Sequence, residues 1–194
     1  MSSPQDAPVS EGTLKPLPTL RTDRLILRPF RMEDAATVQR LAGAWEVADT
    51  TLTIPHPYLD GMAETWIGTH VNAWERRELV TLAITLGADE VVGAVALRLT
   101  LKHRRAELGY WVGRPFWNRG YATEAVRAIL TFGFETLDLN RIHASHLVRN
   151  PASGRVMAKA GMRFEGTRRQ HFVKAGRAED VAEYAILRAD IERG

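Results

Sequence analysis

The sequence predicts one mixed α/β (α+β) domain of about seven strands and about four helices, residues 20–194, behind a tail at residues 1–19. Three observations predict it. Segments whose apolar residues alternate in the manner of strands, such as 79–86, 91–101 and 105–113, are interspersed with segments of helical spacing, such as 33–43 and 120–137. The 194 residues, 45% hydrophobic and 25% charged, are enough for one sizeable core and few for two. No internal repeat is present, and no uncharged run is long and apolar enough for a transmembrane helix.

The elements follow in order. Residues 1–19 hold four of the nine prolines among Ser, Gln, Asp and Gly, with nothing periodic to bury, and read as a flexible tail. Arg24 to Phe30 is a strand pattern that ends at Pro29. A helix follows over 33–43, with Ala35, Val38, Leu41 and Ala42 on one stripe, acids in its first turn and Gly43 at its end. Pro55, Pro57 and Gly61 make 50–61 a loop. A second helix is predicted over 63–77, carrying Trp66, Ile67, His70, Val71 and Trp74. Strands at 79–86 and 91–101 flank Gly87-Ala88-Asp89-Glu90, which is hairpin chemistry. The strand at 105–113 sets Glu107, Gly109 and Trp111 on one face and Leu108, Tyr110 and Val112 on the other. A long helix over 120–137, a strand at 141–148, a short helix at 152–160 and strands at 163–173 and 179–188 complete the chain.

Composition narrows the function. Without Cys there is no disulfide scaffold, thiolate metal site or cysteine nucleophile. The N-terminus lacks the basic and apolar regions of a secretory signal, so a cytoplasmic protein is expected. The net charge of +3 hides a split, −5 over residues 1–97 and +8 over 98–194. A basic half suits nucleic acid or a ligand with several phosphates, or is simply solvated Arg on outer faces. No helix-turn-helix or aromatic RNA-binding signature accompanies it, so nucleic acid is not expected. His143 and His146 lie three apart on a strand and face opposite sides, which argues against a shared metal site. His70 and His171 read as incidental.

The informative stretch runs from Glu107 to Ala125, where a strand ends, a short Arg/Asn/Gly loop follows and a long helix begins at Gly120-Tyr121-Ala122. Unpaired N–H groups and the positive dipole end make such a helix start an anion site, and small residues let a phosphate approach the main chain. The loop is neither Walker A nor Gly-x-Gly-x-x-Gly. Taken alone, it fits an ordinary strand-to-helix turn equally well.

Further residues break that tie. Trp117-Asn118-Arg119-Gly120-Tyr121-Ala122 resembles the coenzyme-A-binding motif of the GNAT acetyltransferases, Gln/Arg-x-x-Gly-x-Gly/Ala, in the Trp-initiated form of the RimJ/RimL branch. Asn118 stands where that branch usually has Gly. Thr22-Asp23-Arg24-Leu25, the strand Glu107-Leu108-Gly109-Tyr110-Trp111, Asn150-Pro151-Ala152-Ser153 and Lys159-Ala160-Gly161 through Glu165-Gly166 resemble the branch in the same order.

The resemblance implies a single GNAT-like domain, with a central, mostly antiparallel twisted sheet, that moves an acyl group from acetyl-CoA to a primary amine in a ternary complex, without a metal. It implies that the pyrophosphate sits on the backbone of Arg119, Gly120, Tyr121, Ala122 and Thr123. Pantetheine would run along the strand edge at Tyr110, Trp111 and Val112, with Asn150 holding the arm. Arg114, Arg119, Arg155 and Lys159 become candidates for the adenosine 3′-phosphate. Glu107 is the candidate base, with a structural carboxylate as the alternative. Many GNAT enzymes have a Tyr seven residues past the Asn; Met157 stands there and donates no proton. Ser153, three past Asn150, is the candidate to meet the departing thiolate, with a helix cap as the alternative. Asp180 reads as structural, Tyr184 as a minor site candidate, and Trp45, Trp66, Trp74 and Trp111 as core residues or acceptor-pocket lining. The acceptor implied is a protein or peptide N-terminal amine. Alternatives are a small amine such as a polyamine or antibiotic, a larger acyl donor, or a weak acyl-CoA-binding module. The acidic first half suits a cationic amine, and the state is monomer or homodimer.

Overall fold

The computed structural model describes residues 16–191, so most of the expected tail lies outside the described residues. Eight strands form one sheet: β1 (Leu20–Arg21), β2 (Leu25–Arg28), β3 (Leu79–Leu86), β4 (Glu90–Thr100), β5 (Arg105–Val112), β6 (Arg141–Leu147), β7 (Arg163–Lys174) and β8 (Arg177–Leu187), in the order β1-β2-β3-β4-β5-β6-β8-β7. Six helices, α1 (Ala35–Ala42), α2 (Trp45–Thr50), α3 (Met62–Gly68), α4 (His70–Glu75), α5 (Tyr121–Glu135) and α6 (Pro151–Lys159), and a last turn, α7 (Arg188–Ile191), accompany it. The mixed α/β class is as expected, with one more strand and more helices.

Each difference has a local cause. The two-residue β1 is too short to carry a period; it exists because Thr22 and Arg24 are tied to Glu124, a hundred residues away. Helix α2 has Ala44 at its start without a side-chain cap, while Thr50 and Thr51 bond back to the carbonyls of 46–48 and stop it after six residues. The predicted 63–77 helix divides after Gly68, where the Thr69 hydroxyl donates to the Trp66 carbonyl at 2.7 Å. Its buried stripe of Ala63, Ile67, His70 and Ala73 continues across the break.

The main core lies where α5 and α6 cover one face of the sheet, with Leu82, Ile84, Leu97, Ile129, Leu139, Ile142 and Met157 fully buried. A smaller cluster on the opposite face joins α1 and α3 to Trp111. Arg28 bridges the two ends of this region, gripping Asp34 with bonds of 2.7 and 2.9 Å and the Ala88 carbonyl at 2.9 Å. Burial pushes the Asp34 carboxyl up, but these bonds and the Arg31 amide outweigh it and hold the group below its ordinary range.

One break in the sheet positions the site. All neighbouring strands are antiparallel except β5 and β6, which the α5 crossover makes parallel. They pair over only three positions, Arg105 with Arg141, Ala106 with Ile142 and Glu107 with His143. Beyond Glu107 they part: β5 stays with β4 and β6 with β8. From Leu108 onward the β6-facing edge of β5 has no strand partner among the described residues.

Candidate active site

The parted strands open toward the start of α5. Asn118 and Gly120 both adopt left-handed backbone, at φ +60° and +82°, and turn the chain into the helix. The amides of Asn118 through Thr123 have no backbone acceptor among the described residues. Six consecutive free donors, three ahead of a fifteen-residue helix and three in its first turn, can serve as an anion cradle.

That cradle is held from a distance. The Glu124 carboxylate accepts from the Thr22 hydroxyl at 2.6 Å, from the Arg24 amide at 3.0 Å and from Arg24 Nε at 2.7 Å. These bonds outweigh the opposing effect of burial and hold Glu124 below the usual carboxylate range. Arg24 also donates to the Arg119 carbonyl at 3.0 Å and lies over the Tyr121 ring. Across the loop, the Trp117 indole donates to the Val112 carbonyl at 2.6 Å. Trp117 is thus a strap across the loop, and it occupies the Val112 carbonyl; the Trp111 carbonyl faces Gly93 of β4, which leaves the Tyr110 backbone on the open edge among the three expected positions.

Helix α6 supplies the other wall. Pro151 opens it, and the Asn150 side-chain carbonyl accepts from the Ser153 amide at 3.4 Å, so Asn150 is the cap. Its amide reaches the Thr50 carbonyl, also at 3.4 Å. The alternative reading of Ser153 as a cap is therefore corrected. The Ser153 hydroxyl meets the Tyr110 hydroxyl at 2.8 Å, and Tyr110 also donates to the Ser153 carbonyl at 2.9 Å. Burial raises the Tyr110 phenol well above its usual value and keeps it protonated, with the Ser153 bond acting in the opposite sense. Beneath them His146 fits against Gly154, where a Cβ would stand 2.6 Å from Nε2.

Glu107 lies on the opposite face from Tyr110, in the last β5–β6 pair, exposed and with no hydrogen bond or ion pair among the described residues. Its neighbour His143 is lowered by burial, against the pull of Glu107, and is neutral near pH 7. An open cavity of about 400 Å³ adjoins them, lined by Arg105, Arg141, His143, Glu165, Arg168 and Glu183 among others.

The remaining candidates separate. Arg114 is engaged by Glu46 at 3.1 Å, and Arg119 lies over the Phe116 ring. Arg155 and Lys159 are exposed on α6 with no side-chain partner among the described residues. Asp180 accepts from the Gln170 amide at 2.8 Å in the β7–β8 hairpin, a structural role. Tyr184 packs between Phe164 and His146. Trp66 and Trp111 pack in the smaller cluster and Trp74 against the larger; Trp45 is exposed beside His56. His143 and His146 face opposite sides as expected, and no group of three potential metal ligands occurs among the described residues.

A free strand edge beside a free-amide loop is the arrangement that the sequence resemblance implied, and comparison with known proteins decides the family. The GNAT acetyltransferase domain matches residues 24–163. The chain belongs to the GNAT acetyltransferase family. It is an N-acetyltransferase, and acetyl-CoA is the acyl-donor substrate of the family. The protein named Uncharacterized N-acetyltransferase YoaA, from Bacillus subtilis, is 31% identical over 173 residues, covering 88% of this chain and 97% of the relative. Mycobacterium smegmatis RimJ, solved with a CoA-disulfide, superposes with a TM-score of 0.79 at 24% identity, over 92% of this chain and 90% of that one. A spermidine N-acetyltransferase SpeG chimera from Vibrio cholerae and hSSAT does so at 0.76 and 20%, over 89% and 100%. The fold is thus shared with RimJ and with a protein named for spermidine as its acceptor. Among the described residues no helix is long and apolar enough to cross a membrane.

Proposed function

We propose that this acetyltransferase acts on the α-amine of a protein or peptide N-terminus, with Glu107 taking up the proton of the incoming ammonium and Ser153 meeting the departing sulfur. The observation that carries the reading is Glu107 itself: a carboxylate unpaired among the described residues, in the last pair before β5 and β6 separate. Acetyl-CoA supplies the electrophilic thioester carbonyl. The 118–123 amides hold its pyrophosphate, and the open β5 edge at Tyr110 pairs with the pantetheine amides as an added strand would. Arg155 and Lys159 are the cations left free for the 3′-phosphate.

Glu107 accepts the ammonium proton, and neutral His143 beside it adds no competing charge. The freed nitrogen lone pair then attacks the carbonyl carbon, the C–S bond breaks, and the second surplus proton of the nitrogen passes to the departing thiolate, so that an amide and a free thiol result. Ser153 donates a hydrogen bond to the sulfur while Tyr110, protonated by virtue of its burial, turns its own proton toward the Ser153 oxygen.

The test is thiol release from acetyl-CoA with three acceptors: a peptide with a free N-terminus, the same peptide blocked there, and spermidine. Release with the free peptide and a blank rate with the blocked one is the expected result. Spermidine consumed while the free peptide stays at the blank rate would overturn the acceptor assignment.

A further inference from the structure

The sheet face that carries Glu107 is more basic than the first half of the sequence suggests. Arg98 on β4 is the register partner of Glu107, so the two side chains leave the same face on adjacent strands. Arg105 lies two residues before Glu107 on β5, again on that face. Both arginines are exposed, and neither has a hydrogen-bond or ion-pair partner among the described residues.

The other charges nearby are spent. Arg141 is held by Glu165 through two bonds, Arg168 pairs with Glu183 at 3.3 Å, and burial keeps His143 neutral. Two acids of the first half are also engaged, Asp49 by Arg149 at 2.6 Å and Glu46 by Arg114 at 3.1 Å. Of the charged groups named on this face, Glu107, Arg98 and Arg105 are without a hydrogen-bond or ion-pair partner among the described residues.

We infer that Arg98 and Arg105 select an acceptor bearing a carboxylate close to its α-amine. This rests on the acceptor reading above and deepens it. With the ammonium at Glu107, a carboxylate on the same or the next residue falls between the two guanidinium forks, whose planar donors match it. A polyamine would instead bring a second cation to two uncompensated ones. Two sources carry this chemistry, a peptide beginning with Asp or Glu and a free amino acid through its α-carboxylate.

The experiment measures thiol release with acetyl-CoA for two acid–amide pairs: peptides that differ only by Glu or Gln at position one, and free glutamine against glutamine amide. At least a tenfold higher kcat/KM for the acid member of either pair is expected, and the pair that shows it identifies the source. In R98Q/R105Q that ratio falls toward one, through KM, while acetyl-CoA still raises the melting temperature and so reports a folded protein. Equal use of acid and amide in both pairs, or an unchanged ratio in the folded double variant, overturns the inference and leaves N-terminal acetylation standing. Acetylation of the free amino acid pair alone overturns the peptide acceptor reading, and failure to acetylate any of the four overturns that reading and the inference with it.

Discussion

Gly120→Ala isolates the backbone of the phosphate loop. Gly120 holds φ +82° at the start of α5, and a left-handed conformation costs an L-residue about 1–2 kcal/mol. A Cβ there would lie 3.3 Å from Arg24 Nη2, pressing on the guanidinium that joins Glu124 to the Arg119 carbonyl. For a domain of this size the strain lowers Tm by about 2–8 °C. If the substituted residue instead relaxed to negative φ, the 118–123 amides would be re-aimed. Acetyl-CoA at about a hundred times its Kd stabilises the wild type by about 2.7 kcal/mol, and a tenfold loss of affinity reduces that to about 1.4 kcal/mol. Thermal melts of both proteins with and without acetyl-CoA give the two quantities separately. A variant that melts with the wild type and keeps the full acetyl-CoA increment would refute the role given to this loop.

Two further predictions concern side chains. His70 is buried against Phe30 and Trp66, and burial lowers it from 6.5 to about 4. Because the folded value is depressed, the unfolded chain binds the proton first: the stabilisation is complete above pH 6.5 and is lost as pH falls toward 4, by about 3 kcal/mol. Urea unfolding of His70→Phe between pH 4 and 7 should lack that loss; an unchanged acid slope would mean that another group titrates. Ser153→Ala removes a hydroxyl bonded to Tyr110 but leaves the Asn150 cap in place, so kcat should fall about tenfold or more with a stability loss near 1 kcal/mol. Steady-state kinetics beside melts check this, and an unaltered kcat leaves Ser153 a packing residue.

The strands are legible in the sequence because alternation survives wherever one face is buried, and β3 coincides with the sequence expectation at residues 79–86. The free-amide loop ahead of Thr123 is legible for a related reason, since a glycine at a helix start is a local signal. What escapes is long-range. Glu124 looks like an ordinary first-turn acid until Thr22 and Arg24 arrive from a hundred residues away. The Tyr110–Ser153 contact joins positions 43 apart, and Trp117 closes onto Val112 only when the loop folds. Arg98 acquires its meaning from the β4–β5 register, which apolar periodicity does not define. The acidic first half is legible only as a total, since net charge does not reveal that Asp49 and Glu46 have arginine partners.

The proposed mechanism requires Glu107 to act in proton removal rather than in binding the coenzyme. Glu107→Gln keeps the size of the side chain and removes its basicity. Calorimetric titration with acetyl-CoA and thiol release with a free-N-terminus peptide, on the same preparation, separate the two roles. An acetyl-CoA affinity within about twofold of the wild type, with kcat lowered by about 10²–10⁴-fold, is the predicted result. A kcat equal to that of the wild type would contradict it.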